Sequence, residues 1–246
     1  MKYAKIFMIM VIAIGSLGCK KEDNIQPSAN YIKPNDYLSD KKYKTLIVEV
    51  NYIDGYQPTD EAIKNMKNFL IERLNKPKGI KIGWNKIASP RKTSYSVNDI
   101  KALEKSTRKH YPMGDILVMH VLFLDNGYVY DTDNTKYLGI AYGPTSMAIF
   151  QKTVADYSGG LGQPSNEMLE TTIINHEIGH LLGLVNNGTP MLNHHQDTAH
   201  GNHCNDENCL MYYATETTDI IGNLLGNNIP QLDQHCINDL RGNGGK

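Results

Sequence analysis

Hydrophobic and polar positions along the chain predict alternating strands and helices. Strands are predicted at residues 44–52, 80–87, 115–124, 137–142 and 146–150, and helices at 59–74 and 96–110. Ser96 is suited to cap the second helix, and Gly143-Pro144 separates the last two strands, which are expected at a sheet edge or as a hairpin. This alternation predicts an α/β fold in which helices cover a sheet.

A further helix is predicted from Ser165, a suitable N-cap, to about Leu182, where Gly183 can end it. Apolar residues occur on nearly every side of this helix, so we expect it to be buried all round. His176 and His180 fall on one stripe of it, because residues four apart share a helical face. Two histidines in a core helix require an explanation.

The sequence His176-Glu177-Ile178-Gly179-His180 has the spacing of a zinc site. Two histidines four apart on a helix can present both imidazoles to one zinc ion, and the intervening glutamate can reach a water on that ion. The other interpretation is that both histidines are satisfied core residues and Glu177 is an ordinary helix glutamate. Residues further along the chain favour the metal.

The segment HEIGHLLGL at 176–184, together with HCNDENCLM at 203–211, resembles the archaemetzincins, a branch of the metzincin metallopeptidases. Their pattern is HExxHxxGxxH and then C-x4-C-x-M. Cys204, Cys209 and Met211 stand one, six and eight positions after His203, as they do after the third zinc-binding histidine of that family. The resemblance implies a zinc peptidase with a twisted mixed sheet, an active-site helix and a small, loop-rich C-terminal subdomain.

This chain differs from the family pattern at the position of the third histidine. Three residues after the glycine that ends the helix, this chain has Asn186, and a turn-rich insertion comes next. Spacing to the cysteines and the methionine favours His203 as the third ligand. His195 and His200 are the main alternatives, and Asn186 and Asp197 are weaker ones. Histidines that bind no metal would be loop residues in water.

Two residues near the end of this pattern also acquire roles through the resemblance. Met211 would form a hydrophobic floor beneath the metal, although ordinary core packing is compatible with the same position. Tyr213 stands where astacin-like relatives carry a tyrosine that approaches the metal and stabilises the oxyanion. The alternative for Tyr213 is packing with a satisfied hydroxyl.

The implied reaction is zinc-dependent hydrolysis of a peptide or protein substrate, with Glu177 as the general base. Two other function classes stay open on the sequence alone. One is a zinc-binding surface lipoprotein without catalysis, and the other is a structural lipoprotein that binds no metal.

Three cysteines remain after the N-terminal region, namely Cys204, Cys209 and Cys236. The resemblance implies a second, structural zinc, because archaemetzincins combine the C-x4-C pair with a later C-x-x-C. In this chain Asp233 stands in place of the first cysteine of that later pair, so Asp233 or His235 would be the fourth ligand. The competing prediction is one disulfide and one free thiol.

The N-terminus has the pattern of a targeting segment. Lys2 and Lys5 precede an apolar run, residues 6–14, that is too short to span a bilayer as a helix. Ser16-Leu17-Gly18-Cys19 resembles the bacterial lipoprotein box, which implies cleavage and acylation of Cys19. Such boxes usually carry an aliphatic residue where this chain has Ser16, so ordinary signal-peptide cleavage nearby is the alternative. We therefore predict an extracytoplasmic protein held on a membrane by lipid, at the bacterial outer membrane or cell surface. The predicted division is a signal peptide at 1–18, a flexible tether at 19–40 and a metallopeptidase domain at 41–246, with an upper part at 41–183 and a lower part at 184–246.

Composition narrows the class of partner. Hydrophobic residues make up 40% of the chain, which is enough for one sizeable core in a single catalytic domain. The formal net charge is −1, and no basic run with interleaved aromatic residues occurs. Nucleic acid is therefore not an expected partner.

Overall fold

The structure is a computed structural model that describes residues 32–224 and 228–246. The predicted signal peptide, Cys19 and the first part of the tether lie outside the described residues. Within the described ranges, no helix has both the length and the apolar character that crossing a bilayer requires. The elements in chain order are α1 (Pro34–Leu38), β1 (Thr45–Ile53), α2 (Asp60–Arg73), β2 (Ile80–Ile87), α3 (Val97–Thr107), β3 (Ile116–Phe123), β4 (Gly139–Gly143), β5 (Ser146–Ile149), α4 (Gln151–Asp156), α5 (Asn166–Leu181), α6 (Ile221–Leu224) and α7 (Gln234–Gly242).

The five strands form one mixed sheet in the order β2-β1-β3-β5-β4. Strands β2, β1, β3 and β5 run parallel, whereas β4 is antiparallel to β5 and lies at the edge. The predicted strands are confirmed, and the last two form the expected hairpin at the edge of the sheet. The prediction of an α/β fold is confirmed as well.

The two faces of the sheet carry cores of different size. On β3, Leu117, Met119, Val121 and Phe123 point into the larger core, which also contains the apolar sides of α2 and α5. Leu122 points to the opposite face and joins a smaller cluster with residues of α3. This alternation results from the two-residue repeat of a strand. It places α5 on the larger-core side of the sheet.

Helix α5 begins and ends where the sequence predicts. The Ser165 side chain accepts a hydrogen bond from the backbone N–H of Met168, and a left-handed Gly183 comes after the helix. Nearly every residue between these ends is buried. The buried Glu170 carboxylate accepts hydrogen bonds from the Thr59 backbone N–H at 2.8 Å and from the Gln151 side chain. Glu170 therefore ties α5 to the start of α2 and to α4.

The fold begins earlier than the predicted tether boundary at residue 40. Tyr37 and Leu38 of α1 are completely buried in the larger core. The Tyr37 hydroxyl donates to the carbonyl of Pro144, and the buried Lys76 ammonium donates to backbone carbonyls around α1, including that of Asp36 at 3.0 Å. The polar composition of this segment suggested a tether. The residues that bury Tyr37 and Leu38 lie far away in the sequence, so local composition does not reveal this burial. The short helix α4 was also not predicted.

Replacing Leu38 with alanine tests the corrected boundary. Because the side chain is fully buried, we expect Leu38→Ala to lower the free energy of unfolding by about 2–5 kcal/mol. Leu161→Ala is the matched control, since Leu161 is fully exposed and its loss should change stability by less than about 0.5 kcal/mol. Urea unfolding measures both variants. Equal midpoints for Leu38→Ala and wild type would return residues 32–40 to the tether.

Candidate metal centres

Three histidines from two parts of the chain converge at the carboxyl end of α5. His176 and His180 come from the helix, and His203 comes from the loop after it. The Nε2 atoms of His176 and His180 lie 3.1 Å apart, and the ring centroids of His176 and His203 are 5.4 Å apart. One nitrogen from each ring therefore faces a common point that a metal ion can occupy.

Backbone carbonyls orient two of these rings. His176 Nδ1 lies 2.7 Å from the carbonyl oxygen of Leu210, and His203 Nδ1 lies 2.7 Å from that of His200. A nitrogen that donates to a carbonyl leaves the other ring nitrogen unprotonated in the neutral imidazole. When Nδ1 donates, both histidines leave Nε2 available to bind a metal, as in the arrangement that metal-binding histidines adopt.

Glu177 is completely buried, and neither of its carboxylate oxygens has a hydrogen-bond partner among the described residues. Burial, and to a smaller extent the nearby Glu216 carboxylate, raises the pKa of Glu177 well above its usual value, and the nearby backbone N–H of Ala141 offsets this rise only in part. The side chain lies against β4, because a Cβ atom added at Gly139 would stand 2.9 Å from Glu177 Oε1. A buried carboxyl group without partners is costly unless it serves a function.

Glu216 is the residue of this centre that the sequence did not indicate. Its Oε1 atom lies 3.1 Å from His180 Nε2, 3.3 Å from His203 Nε2 and 3.9 Å from His176 Nε2. Although burial favours the neutral acid, the adjacent imidazoles hold the pKa of Glu216 below its usual range. No residue spacing in the HExxH pattern points to Glu216, so only the fold reveals it.

An open cavity of about 520 Å³ lies in front of the three histidines. Tyrosines form much of its wall, and the edge strand β4 contributes Ile140, Ala141 and Tyr142. His180, His203 and Glu216 are exposed to this cavity. A molecule that entered it would meet the Glu216 carboxylate and the edges of these two imidazole rings. The tyrosines are Tyr128, Tyr130, Tyr137 and Tyr142.

Met211 packs beneath the helix that carries the histidines. A Cβ atom added at Gly179 would collide with the sulfur of Met211, so the methionine fills the space left by the glycine. Met211 is fully buried, and its carbonyl accepts the backbone N–H of Cys204 at 2.7 Å. Met211 therefore contacts α5 next to His180, and its role as a floor beneath a metal stays a prediction.

The other candidates for this centre lie elsewhere. His200 is exposed, bonds to Asp197 at 2.6 Å, and stacks on Tyr213 with ring centroids 3.7 Å apart. Asn186 is exposed in a left-handed turn. Tyr213 is not among the cavity-lining residues, and Glu216, three positions later, lies beside the histidine nitrogens instead. The predicted role of Tyr213 in oxyanion stabilisation stays a prediction.

A second cluster of metal-binding side chains lies at the N-terminus of α7. Cys204, Cys209 and Cys236 are buried and form no disulfide among the described residues. The sulfurs of Cys209 and Cys236 are 3.7 Å apart. Sulfurs bound to one tetrahedral zinc at about 2.3 Å stand roughly 3.7–3.8 Å apart. This spacing is compatible with one metal ion. The side chains whose ligand atoms all lie within 4.8 Å of one another are His195, Cys204, Asp233 and Cys236, and Cys209 adjoins this group through Cys236.

The predicted Asp233 belongs to this cluster, and His195 is a further member that the sequence did not indicate. His195 Nδ1 lies 3.4 Å from the sulfur of Cys204 and 4.0 Å from that of Cys236. Asp233 caps α7 by accepting the backbone N–H of Cys236 at 2.7 Å, and its other oxygen lies 3.3 Å from Cys204 Sγ. Both side chains adjoin the thiols, whereas His235 is not part of the group.

His195 has the features of an oriented metal ligand. The ring is buried, and its Nε2 bonds to the buried carboxylate of Asp239 at 2.8 Å, which leaves Nδ1 facing the thiols. A carboxylate behind a histidine is a common partner in zinc sites, because it fixes the tautomer and raises ligand basicity. Spacing could not reveal this partner of the cysteines, since His195 lies in the inserted loop.

Comparison with solved structures identifies the architecture. The archaemetzincin from Methanopyrus kandleri matches with a TM-score of 0.53 over 81% of this chain and 96% of that chain, at 17% sequence identity. The fold is archaemetzincin-like. A zinc-dependent peptidase from Methanocorpusculum labreanum matches with a TM-score of 0.47 over 78% of this chain and 99% of that one, at 13% identity. The sequence matches no protein-family model and no curated protein.

Two substitutions in the same loop, His203→Ala and His200→Ala, test which of these histidines is the third zinc ligand. We expect His203→Ala to lower the bound zinc by one equivalent, because a three-histidine site loses a ligand that faces the common point. His200→Ala should keep the wild-type zinc content, since that ring is exposed and stacked on Tyr213. Metal analysis of the dialysed proteins measures the content. Loss of zinc from His200→Ala alone would reverse the assignment.

Proposed function

We propose that the protein is a zinc-dependent peptidase of the metzincin type. The observation that carries the proposal is the convergence of His176, His180 and His203 beside the buried Glu177. Three protein ligands and one further position are the composition of catalytic zinc sites. Solved structures of low sequence identity show only that the fold is shared. We therefore infer the activity from these residues and not from the comparison.

The residues present suit a zinc ion. His203 Nε2 is buried and faces the Glu216 carboxylate at 3.3 Å, and both oxygens of Glu177 are buried without a well-formed hydrogen bond among the described residues. Imidazole nitrogens are preferred zinc ligands, and His176 and His203 are held in the tautomer that zinc requires. When bound, zinc supplies Lewis-acid chemistry: it polarises a scissile carbonyl and acidifies the attacking water.

Glu177 performs the proton transfers in this proposal. Its carboxylate accepts a proton from the attacking water and returns it to the nitrogen of the leaving amine, so one group serves both transfers. The wall formed by β4 and the rest of α5 excludes bulk water from the carboxylate. Exclusion of water strengthens the electrostatic interactions at the reacting atoms.

A peptide is the substrate that suits the cavity best. Strand β4 is the edge strand of the sheet and pairs only with β5 in the described part of the chain. Ile140, Ala141 and Tyr142 of this strand line the cavity beside His180. An extended peptide can add to such an edge through main-chain hydrogen bonds. This supports a peptide or protein substrate in preference to a small polar molecule.

Glu177→Gln tests the catalytic part of the proposal. The amide cannot accept the proton, so we expect the rate of peptide hydrolysis to fall by about 10²–10⁴-fold while zinc content is unchanged. Glu167→Gln is the matched control, because Glu167 is exposed in the first turn of the same helix and should leave the rate unaltered. Cleavage of a peptide library by the metal-loaded proteins gives the rates. Unchanged turnover by Glu177→Gln would contradict the mechanism, and a zinc-loaded wild type that cleaves nothing would support the non-catalytic alternative.

We also propose a second zinc ion held by Cys204, Cys209, Cys236 and His195. It would be structural, since four protein ligands leave no open position. Asp233 would then remain the cap of α7. The backbone N–H groups of Met211 and Asp233 point to the sulfur of Cys209 at 3.4 Å each, which stabilises a thiolate there.

His195→Ala tests this site with its neighbour as the control. Loss of the imidazole should remove or weaken one zinc equivalent and lower the melting temperature, because binding of a structural zinc contributes directly to folding. His194→Ala alters the adjacent, exposed histidine and should change neither quantity. Zinc analysis and calorimetry measure the two effects. Full zinc content and stability in His195→Ala would leave Asp233 as the fourth ligand.

The membrane-anchored location is a separate proposal that depends on the N-terminal sequence alone. The lipoprotein box ending at Cys19 supports acylation there, and the residues after it would link the lipid to the domain that begins near Ile32. The substrate would then be outside the cytoplasm.

A further inference from the structure

The Glu216 carboxylate occupies the open side of the three-histidine site. Its Oε1 atom stands 3.1, 3.3 and 3.9 Å from the Nε2 atoms of His180, His203 and His176. The carboxylate that the sequence pattern places near the metal is Glu177, which lies on the helix. Glu216 comes from a different element and approaches from the cavity side.

The spacing of these four atoms suits a tetrahedron. Nitrogen and oxygen ligands bind zinc at about 2.0–2.2 Å, so two ligands of a tetrahedral ion stand roughly 3.3–3.6 Å apart. The distances from Glu216 Oε1 to the three nitrogens bracket this value, and His176 Nε2 lies 3.1 Å from His180 Nε2. All four ligand atoms lie within 4.8 Å of one another. Glu216 is thus spaced as a ligand and not as a remote counter-charge.

The main chain of Glu216 is fixed while its carboxylate adjoins open space. The residue ends a 3-10 turn, Tyr213–Glu216, and its carbonyl accepts the backbone N–H of Leu138 at 2.8 Å, just before β4. The side chain of Glu216 is 27% exposed, whereas those of the three histidines are at most 10% exposed. A rotation about its side-chain bonds can therefore move the carboxylate into the cavity without moving the histidines.

We propose that Glu216 is a displaceable fourth zinc ligand that closes the centre at rest and leaves it when substrate binds. The inference rests on the proposed zinc site and adds its regulation. Four protein ligands make a closed zinc site, and three with an open position make a catalytic one. Movement of one carboxylate interconverts the two states, so the resting protein is protected from adventitious hydrolysis and from loss of its metal.

The alternative is that Glu216 is only a charge partner of the histidines. In that case its carboxylate would balance protonated rings in the metal-free protein and would have no bond to zinc. The two accounts differ in what an added zinc ligand must displace. If Glu216 is a displaceable ligand, its carboxylate competes with the added ligand for zinc. If Glu216 is only a charge partner, its carboxylate does not compete.

Binding of acetohydroxamate to the zinc-loaded full chain, purified in detergent, tests the proposal. This probe binds zinc through two oxygens and must displace Glu216 in the wild type, so only the open fraction of the protein can bind it. If the carboxylate is bound about nine-tenths of the time, Glu216→Ala should bind the probe roughly tenfold more tightly. Calorimetry gives the affinities without any measurement of activity.

Glu216→Gln gives a second, isosteric variant in case the alanine variant does not fold. Its amide is a weak zinc ligand, and we expect tighter probe binding in the same direction. Asp219→Asn, in the next turn, is the control and should match the wild type. Release of one zinc equivalent to a chelator should also be roughly 10- to 100-fold faster in both Glu216 variants, by analogy with the loss of outer-shell partners.

Each outcome decides the proposal. Tighter probe binding together with faster release of one zinc equivalent supports it. Unchanged probe affinity in both variants overturns it and leaves Glu216 as a charge partner. A wild type that never binds the probe, with variants that do, also overturns it, because the carboxylate would then be a permanent ligand. Failure of the peptidase proposal is separate, since it would appear as absent zinc in the wild type or as hydrolysis by Glu177→Gln.

Discussion

Burial of α5 is the constraint on which the rest of the molecule depends. A helix that packs on nearly every side must satisfy its polar side chains within the protein, because an unpaired buried polar group costs about 1–3 kcal/mol. Glu170 meets this demand through α2 and α4, and His176 meets it through the carbonyl of Leu210. Glu177 does not meet it with protein partners among the described residues. The fold therefore bears the cost of one buried carboxyl group that lies against β4 and close to Glu216.

The loop after α5 couples the two candidate metal centres through adjacent residues. His203 faces the first centre and Cys204 the second, so a shift of one backbone position would disturb both. Leu210, whose carbonyl orients His176, stands between Cys209 and Met211. The thiol cluster therefore holds the backbone that positions the histidines. This explains how a loop with little regular secondary structure can form a defined centre.

Local patterns in the sequence account for most of the fold. The strand periodicity located β1 to β5, and Ser96 and Ser165 cap α3 and α5 as predicted, because these signals depend on neighbours within a few residues. The core position of Leu38 was missed because its partners are distant in sequence. Glu216 at the histidines and His195 at the cysteines were missed for the same physical reason. Only tertiary packing brings an inserted loop and a 3-10 turn to the two clusters.

The resemblance in the sequence predicted a zinc site but left its third ligand undecided. The structure favours one of the candidates. Asn186 is exposed in a turn, whereas His203 faces the other two histidines. The most direct measurement is a crystal structure of the zinc-loaded protein with anomalous diffraction at the zinc edge. We expect two peaks, one bonded to His176, His180 and His203 and one bonded to the three cysteines. A zinc ion bonded to the α5 histidines without His203, or no peak there at all, would contradict this expectation.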